Sequence, residues 1–231
     1  MSIKVIAFDA DDTLWVNEPY FRDIEKLFCA LLEDYLPEHT VEQELFKIEM
    51  QNLSLYGYGA KGFMLSMIET ALTISNKTIP PIVIDKIIEL GKELLTMPIE
   101  LLEGVEEVLK KLQGEYKLVV ATKGDLLDQE RKLSKSGVEK YFHHIEIMSD
   151  KKESDYSKLI KHLDIDAAEI LMIGNSLKSD ILPVLALGGY GIHVPFHTTW
   201  AHEQIEHTVV NEKFKQIEHI QELLPFLKSI K

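Results

Sequence analysis

Apolar and polar positions along this chain fall into two regimes. Residues 3–8 (Ile-Lys-Val-Ile-Ala-Phe) are a short run rich in β-branched residues, which predicts a buried strand. From about Tyr20 to Leu95 the spacing turns helical. Phe21, Ile24, Leu27, Phe28, Leu31, Leu32 and Tyr35 recur every three or four positions. Further helices are predicted near 41–55, 60–74 and 82–95, and Pro80-Pro81 separates the last two. No convincing strand interrupts this stretch, which reads as an all-helical insertion of roughly 80 residues at ordinary helix and loop lengths.

After Pro98 the chain alternates. Val105–Leu112 predicts a helix, 116–121 a buried strand, and Leu126–Lys135 a helix stopped by Gly137. Ile145–Met148 predicts a strand, Tyr156–Leu163 a helix and Ile170–Ile173 a strand. Then follow a helix over Asp180–Leu187, a strand over Tyr190–Val194, and a final helix over Ile220–Ile230 with Pro225 near its first turns. Such alternation implies a parallel sheet with helices on both faces, and ligands bind such sheets at the carboxyl ends of the strands.

Charge narrows the partners. The 231 residues carry 38 acidic and 25 basic side chains, a formal charge of -13. That surface repels nucleic-acid phosphates and anionic lipid heads, so neither is expected as a partner. A phosphate-ester substrate would then require a metal or local lysine to invert the field at its site. The sole cysteine, Cys29, excludes an intramolecular disulfide and fits a reducing compartment. It sits in an apolar run and reads as core filler. With no secretory or membrane segment visible, a soluble, cytoplasmic protein is expected.

Chemistry concentrates at four strand ends. Asp9-Ala10-Asp11-Asp12-Thr13 follows the first strand, and residues two apart on an extended chain face the same side. Paired carboxylates suit a division of labour: an ionised Asp9 attacks phosphorus and a protonated Asp11 gives its proton to the leaving oxygen. The three acids could instead cap a turn or a helix start. Thr122 ends the second strand with a hydroxyl able to donate to a phosphate oxygen, and Lys123 beside it could add charge. After the third strand, a lysine of the Lys151-Lys152 pair, Lys151 above all, could neutralise the carboxylates and hold the phosphate as a point charge, or the pair could simply be solvated. After the fourth, Gly174-Asn175-Ser176 and Asp180 supply hard oxygens that suit Mg²⁺, and Ser176 or Asn175 could also cap a helix.

Taken in order, these four motifs resemble the haloacid dehalogenase superfamily, whose pattern is Asp-x-Asp-x-Thr, a strand-end Thr or Ser, a Lys, and Gly-Asp-Ser with a later Asp. The resemblance spans the whole chain. It implies an α/β fold: a Rossmann-like, doubly wound parallel-sheet core (1–16 plus 98–231) with an inserted all-helical cap domain (17–97). It implies a Mg²⁺-dependent phosphatase for a small phosphate monoester, working through an aspartyl-phosphate. Asp9 would be the nucleophile, Asp11 the general acid and then base, Thr122 and Lys123 phosphate contacts, and Lys151, rather than Lys152, the site lysine. Asp9, the Asp11 carbonyl, Asn175 and Asp180 would hold the metal. Asn175 stands where the pattern has Asp, one negative charge fewer.

A sugar-phosphate mutase or a non-catalytic interaction protein on the same fold would share most of these motifs. A dehalogenase would use the same nucleophile but lacks a second acid such as Asp11. The glycine cluster around Tyr58 and Lys61 could be a flexible loop reaching the substrate or an ordinary helix connection. His193, His197, His202 and His207 recur late without the cysteines that commonly accompany zinc.

Overall fold

A computed structural model describes residues 3–205 and 208–229. The chain divides into two compact units: 1–18, 99–123 and 129–231 make one, and 19–98 with 124–128 the other.

The first unit is built on a parallel sheet. Its strands among the described residues are β1 (Val5–Phe8), β2 (Lys117–Lys123), β3 (His144–Met148), β4 (Ile170–Gly174), β5 (Tyr190–His193) and β6 (Phe214–Gln216). Their order is β3-β2-β1-β4-β5-β6, every neighbouring pair parallel. Strand order therefore reverses between β1 and β4, which places the topological switch point at their carboxyl ends. The helices are α5 (Val105–Leu112), α6 (Leu126–Ser136), α7 (Glu153–His162), α8 (Leu182–Ala186) and α9 (Leu223–Ser229), α6 with its first turn in the other unit.

Period-two alternation along the strands explains the two covered faces. Ile6, Phe8, Leu118, Val120, Leu171 and Ile173 pack with α5, α9 and Leu133 of α6. Val5, Ala7, Val119, Ala121, Ile170 and Met172 pack on the other side with Tyr156, Leu159 and Ile160 of α7 and Val184 of α8. Strands buried on both faces read as continuous apolar runs, which is why β1, β2 and β4 were visible in the sequence. β6 was not expected: Phe-Lys-Gln carries no apolar run, and its last two residues are exposed.

Near the end of the chain the helices are shorter than their apolar patterns suggest. Where one helix was expected over 180–187, a five-residue π-turn, Leu177–Ile181, comes before α8, and the Ser176 hydroxyl caps its start by accepting from Ser179 N. A 3₁₀ turn, Ile220–Glu222, precedes α9. Ile230, the expected end of that helix, lies outside the described residues.

The second unit is helical: α1 (Glu18–Leu31, whose first residue belongs to the sheet unit), α2 (Glu38–Tyr56), α3 (Ala60–Ile74) and α4 (Pro81–Thr96). Ile24, Phe28, Leu32, Val41, Leu45, Phe63, Met67 and Ile87 form its core. Leu27 and Tyr35, on the apolar stripe read from the sequence, are exposed. Gly91 lets α4 approach α3 closely, since a Cβ there would meet the Met64 sulfur at 2.4 Å. Residues 57–59 form a three-residue connection between α2 and α3, and Lys61 pairs with Asp125 at 2.9 Å. Among the described residues no helix is long and apolar enough to cross a membrane.

Candidate active site

Asp9 leaves β1 at the switch point. Its backbone N–H donates to Ile173 O (2.8 Å), which continues the β1–β4 ladder one step past the strand and holds Asp9 beside the end of β4. The side chain is buried, and its two oxygens meet different partners. The Lys151 ammonium donates to Oδ1, and the Thr13 hydroxyl lies 3.2 Å from Oδ2.

Lys151 also donates to Asp180 Oδ1 at 2.7 Å, so one buried ammonium bridges two buried carboxylates. Burial works against the Lys151 charge, but Asp180 and Asp9 outweigh it and hold its pKa well above the ordinary lysine value. Burial and the Asp180 charge push the Asp9 carboxyl up to about 7, against the pull of Lys151. The next lysine behaves differently. Lys152 is 74% exposed and pairs with Asp150 at the surface.

Asp180 is fixed from its other oxygen as well, Oδ2 accepting from Ser176 N at 3.0 Å. Its carboxylate lies over Gly174, where a Cβ would come within 2.1 Å of Oδ2, so only glycine fits at the end of β4.

Asn175 follows. Its backbone N–H donates to the Thr13 hydroxyl (3.0 Å), and its carbonyl lies 2.9 Å from His193 Nε2. With its nitrogen turned inward, the side-chain amide donates to Asp9 Oδ2 (3.2 Å), Thr13 Oγ1 (3.3 Å) and the Asp11 carbonyl (3.3 Å). With its oxygen turned inward, it joins those oxygens as another acceptor. Oxygens converge in that way around a hard cation. The converging oxygens are one carboxylate, that of Asp9, with neutral ones, while Asp180 turns its oxygens to Lys151 and Ser176 N; among the described residues no three His, Cys, Asp or Glu side chains gather as a metal site. Mg²⁺ fits this set, because it is ordinarily held by one or two carboxylates and keeps several waters.

Asp11 is not grouped with this cluster through its side chain. Trp15 Nε1 donates to it at 2.7 Å, Gln129 Nε2 at 2.8 Å, and the Lys132 ammonium at 3.0 and 3.2 Å. Donors thus face both Asp11 oxygens, and one of them has to give way before Asp11 can meet a leaving group. Asp12 is the cap, accepting from Asn17 N (2.8 Å) and Glu18 N (2.9 Å) as α1 begins. Thr122 is buried at the end of β2, and its hydroxyl takes no partner among the described residues.

Lys123 also departs from expectation. Its ammonium goes to Glu203 Oε1 (2.5 Å) and to the Ser179 hydroxyl (2.9 Å), not towards Asp9. The late histidines do not gather: His193 bridges the Asn175 carbonyl and Gln216, His197 stacks on Phe196, His202 lies against Trp200, and His207 is outside the described residues. Sequence reading missed Gln129, Lys132 and Glu203. Lys132 and Gln129 sit on α6 with ordinary helical spacing, and Glu203 follows Lys123 by 80 positions, so no local motif marks them.

The model of the haloacid dehalogenase-like hydrolase family matches residues 3–188, and the chain belongs to that family. A haloacid dehalogenase-like family hydrolase from Xanthomonas campestris is 36% identical over 99% of this chain and 92% of its own, with a TM-score of 0.89. A putative hydrolase of the family from Bacillus subtilis, solved bound to magnesium, is 16% identical over 99% of this chain and all of its own, with a TM-score of 0.65. A 2-haloacid dehalogenase from Pseudomonas syringae is 17% identical over the same shares, also with a TM-score of 0.65. No curated protein matches.

Proposed function

We propose that this chain is a Mg²⁺-dependent phosphatase that hydrolyses a small phosphate monoester through an aspartyl-phosphate on Asp9. The observation that carries this reading is the division of the Asp9 carboxylate. One oxygen meets Lys151, and the other faces the Thr13, Asn175 and Asp11 carbonyl oxygens. A nucleophile so placed stands between a fixed cation and a cluster suited to a second, the charge balance that phosphoryl transfer requires.

Asp9 attacks phosphorus, and the bond from phosphorus to the ester oxygen breaks. Asp11 gives that oxygen its proton. Asp11 then takes a proton from water, which attacks the same phosphorus and frees phosphate and Asp9. Thr122 donates its hydroxyl to a phosphoryl oxygen. Lys151 keeps Asp9 and Asp180 in place and offsets their charge. Bound by Asp9, the Asp11 carbonyl, Asn175 and Asp180, Mg²⁺ would offset the charge of the phosphoryl oxygens. The helical unit is proposed as the cap that excludes water from this chemistry.

Asp11 favours this reading over a dehalogenase, for which a second acid two residues after the nucleophile has no use. The test is p-nitrophenyl phosphate hydrolysis by wild type and Asp9→Asn, each with Mg²⁺ and with EDTA. Turnover is expected only from wild type with Mg²⁺. Turnover that survives in Asp9→Asn would overturn the covalent route, and turnover that survives in EDTA the metal requirement.

A further inference from the structure

The sheet unit holds a buried carboxylate that the proposed reaction does not use. Glu203 ends a short 3₁₀ turn, Ala201–Glu203, in the segment after β5, and its side chain is only 10% exposed. Both of its oxygens are occupied. Oε1 accepts from the Lys123 ammonium (2.5 Å), and Oε2 accepts from the hydroxyls of Ser176 (2.5 Å) and Ser179 (2.5 Å). Lys123 also donates to the Ser179 hydroxyl (2.9 Å). The segment is tied down next to Glu203 as well, where the Lys178 ammonium donates to His202 O (2.6 Å).

These partners are not arbitrary positions. Ser176 follows Asn175 and supplies the N–H that holds Asp180 Oδ2. Ser179 precedes Asp180, and its carbonyl accepts from the buried Tyr156 hydroxyl at 3.1 Å. Glu203 thus grips the 175–180 turn at two points. It also places a negative charge against Lys123, which would otherwise add positive charge beside a site built to take a cation.

We propose that Glu203 is a positioning residue for the metal-holding turn, and that Lys123 serves as its counter-ion rather than as a phosphate contact. The carboxylate does two things. It fixes the Ser176 and Ser179 hydroxyls, and through them the positions of Asn175 and Asp180. It also cancels the Lys123 charge, so that the turn keeps its affinity for a divalent cation although Asn175 contributes no charge of its own. Partners one shell out commonly set metal affinity by orienting the ligands. This inference rests on the metal-dependent reading above.

The experiment is a Mn²⁺ titration followed by the electron paramagnetic resonance signal of the free ion, which needs no substrate and no turnover. Wild type, Glu203→Gln, Lys123→Met and the double variant are compared, with circular dichroism to confirm that each is folded. Glu203→Gln is expected to bind Mn²⁺ roughly tenfold more weakly. The double variant is expected to recover part of that loss, the part due to the Lys123 charge that Glu203 had balanced, and to keep the part due to the altered Ser176 and Ser179 contacts. A purely structural loss of the turn would not be rescued in this way. Equal affinity of Glu203→Gln and wild type overturns the proposal, as does a double variant as weak as Glu203→Gln. Wild type without Mn²⁺ affinity is a different result, since it overturns the metal-dependent reading and the inference with it.

Discussion

The Lys151 ammonium lies between two buried carboxylates, so removing it leaves Asp9 and Asp180 facing each other without their bridge. Breaking a buried ion pair by deleting one partner costs about 3–5 kcal/mol. Lys151→Met should therefore melt well below wild type in EDTA and gain more stability from Mg²⁺ than wild type does, because the cation restores the lost charge. Melting temperatures with and without Mg²⁺ check this, and equal values for the two proteins in EDTA would count against it. At Asp11, replacement by Asn should slow p-nitrophenyl phosphate turnover roughly 10²–10⁴-fold, the usual share of general acid–base help. Activity close to wild type would remove Asp11 from the chemistry. The residue scale is also where the sequence was most and least informative. Asp9 was legible because an acid directly after a buried strand is costly unless used. The choice between Lys151 and Lys152 rested on resemblance alone, since adjacent lysines differ only in where the backbone points them; one is buried and the other exposed.

At the scale of elements, β1, β2, β4 and the four helices of residues 18–96 could be read from periodicity, because each buries an apolar run or stripe. What escaped were features made by distant partners. The segment that carries Glu203 has no apolar period, and its place comes from the contacts with Lys123, Ser176 and Ser179. Those contacts have a pH signature. Burial by itself would raise the Glu203 carboxyl, but Lys123 and the two hydroxyls override it and hold it down at about 2. A depressed carboxyl contributes stability that is complete above the unfolded value of 4.5 and is lost as pH falls from there through about 2. Glu203→Gln should thus flatten the acid limb of the stability curve in that window by on the order of 2–3 kcal/mol. Urea unfolding across that range measures it, and parallel curves for the two proteins would exclude the contacts as a source of stability. In α1, Cys29 is buried, and its thiol is pushed up to about 12 by burial first and then by Glu25, Glu42 and Glu38. It should resist a disulfide reagent in the native protein and react once in denaturant. Rapid labelling of the native protein would show that α1 opens readily.

For the whole molecule, a formal charge of -13 leaves the site to supply its own positive field. Lys151 does so directly, whereas Lys123 is spent on Glu203. The doubly wound order brings β1 and β4 together from chain positions 165 residues apart (Val5 paired with Ile170), and that pairing is what sets Asp9 beside Asn175. The fold class was legible because alternating strands and helices allow few other topologies; the contacts across the switch point were not, because they join residues with no shared local pattern. The central claim is that Asp9 accepts a phosphoryl group with Mg²⁺ at its side. Beryllium fluoride, which mimics a phosphoryl group on a carboxylate, tests it without knowledge of the substrate. With Mg²⁺ present, beryllium fluoride should raise the melting temperature of wild type and leave Asp9→Asn unmoved. No rise in wild type, or an equal rise in Asp9→Asn, would contradict the account.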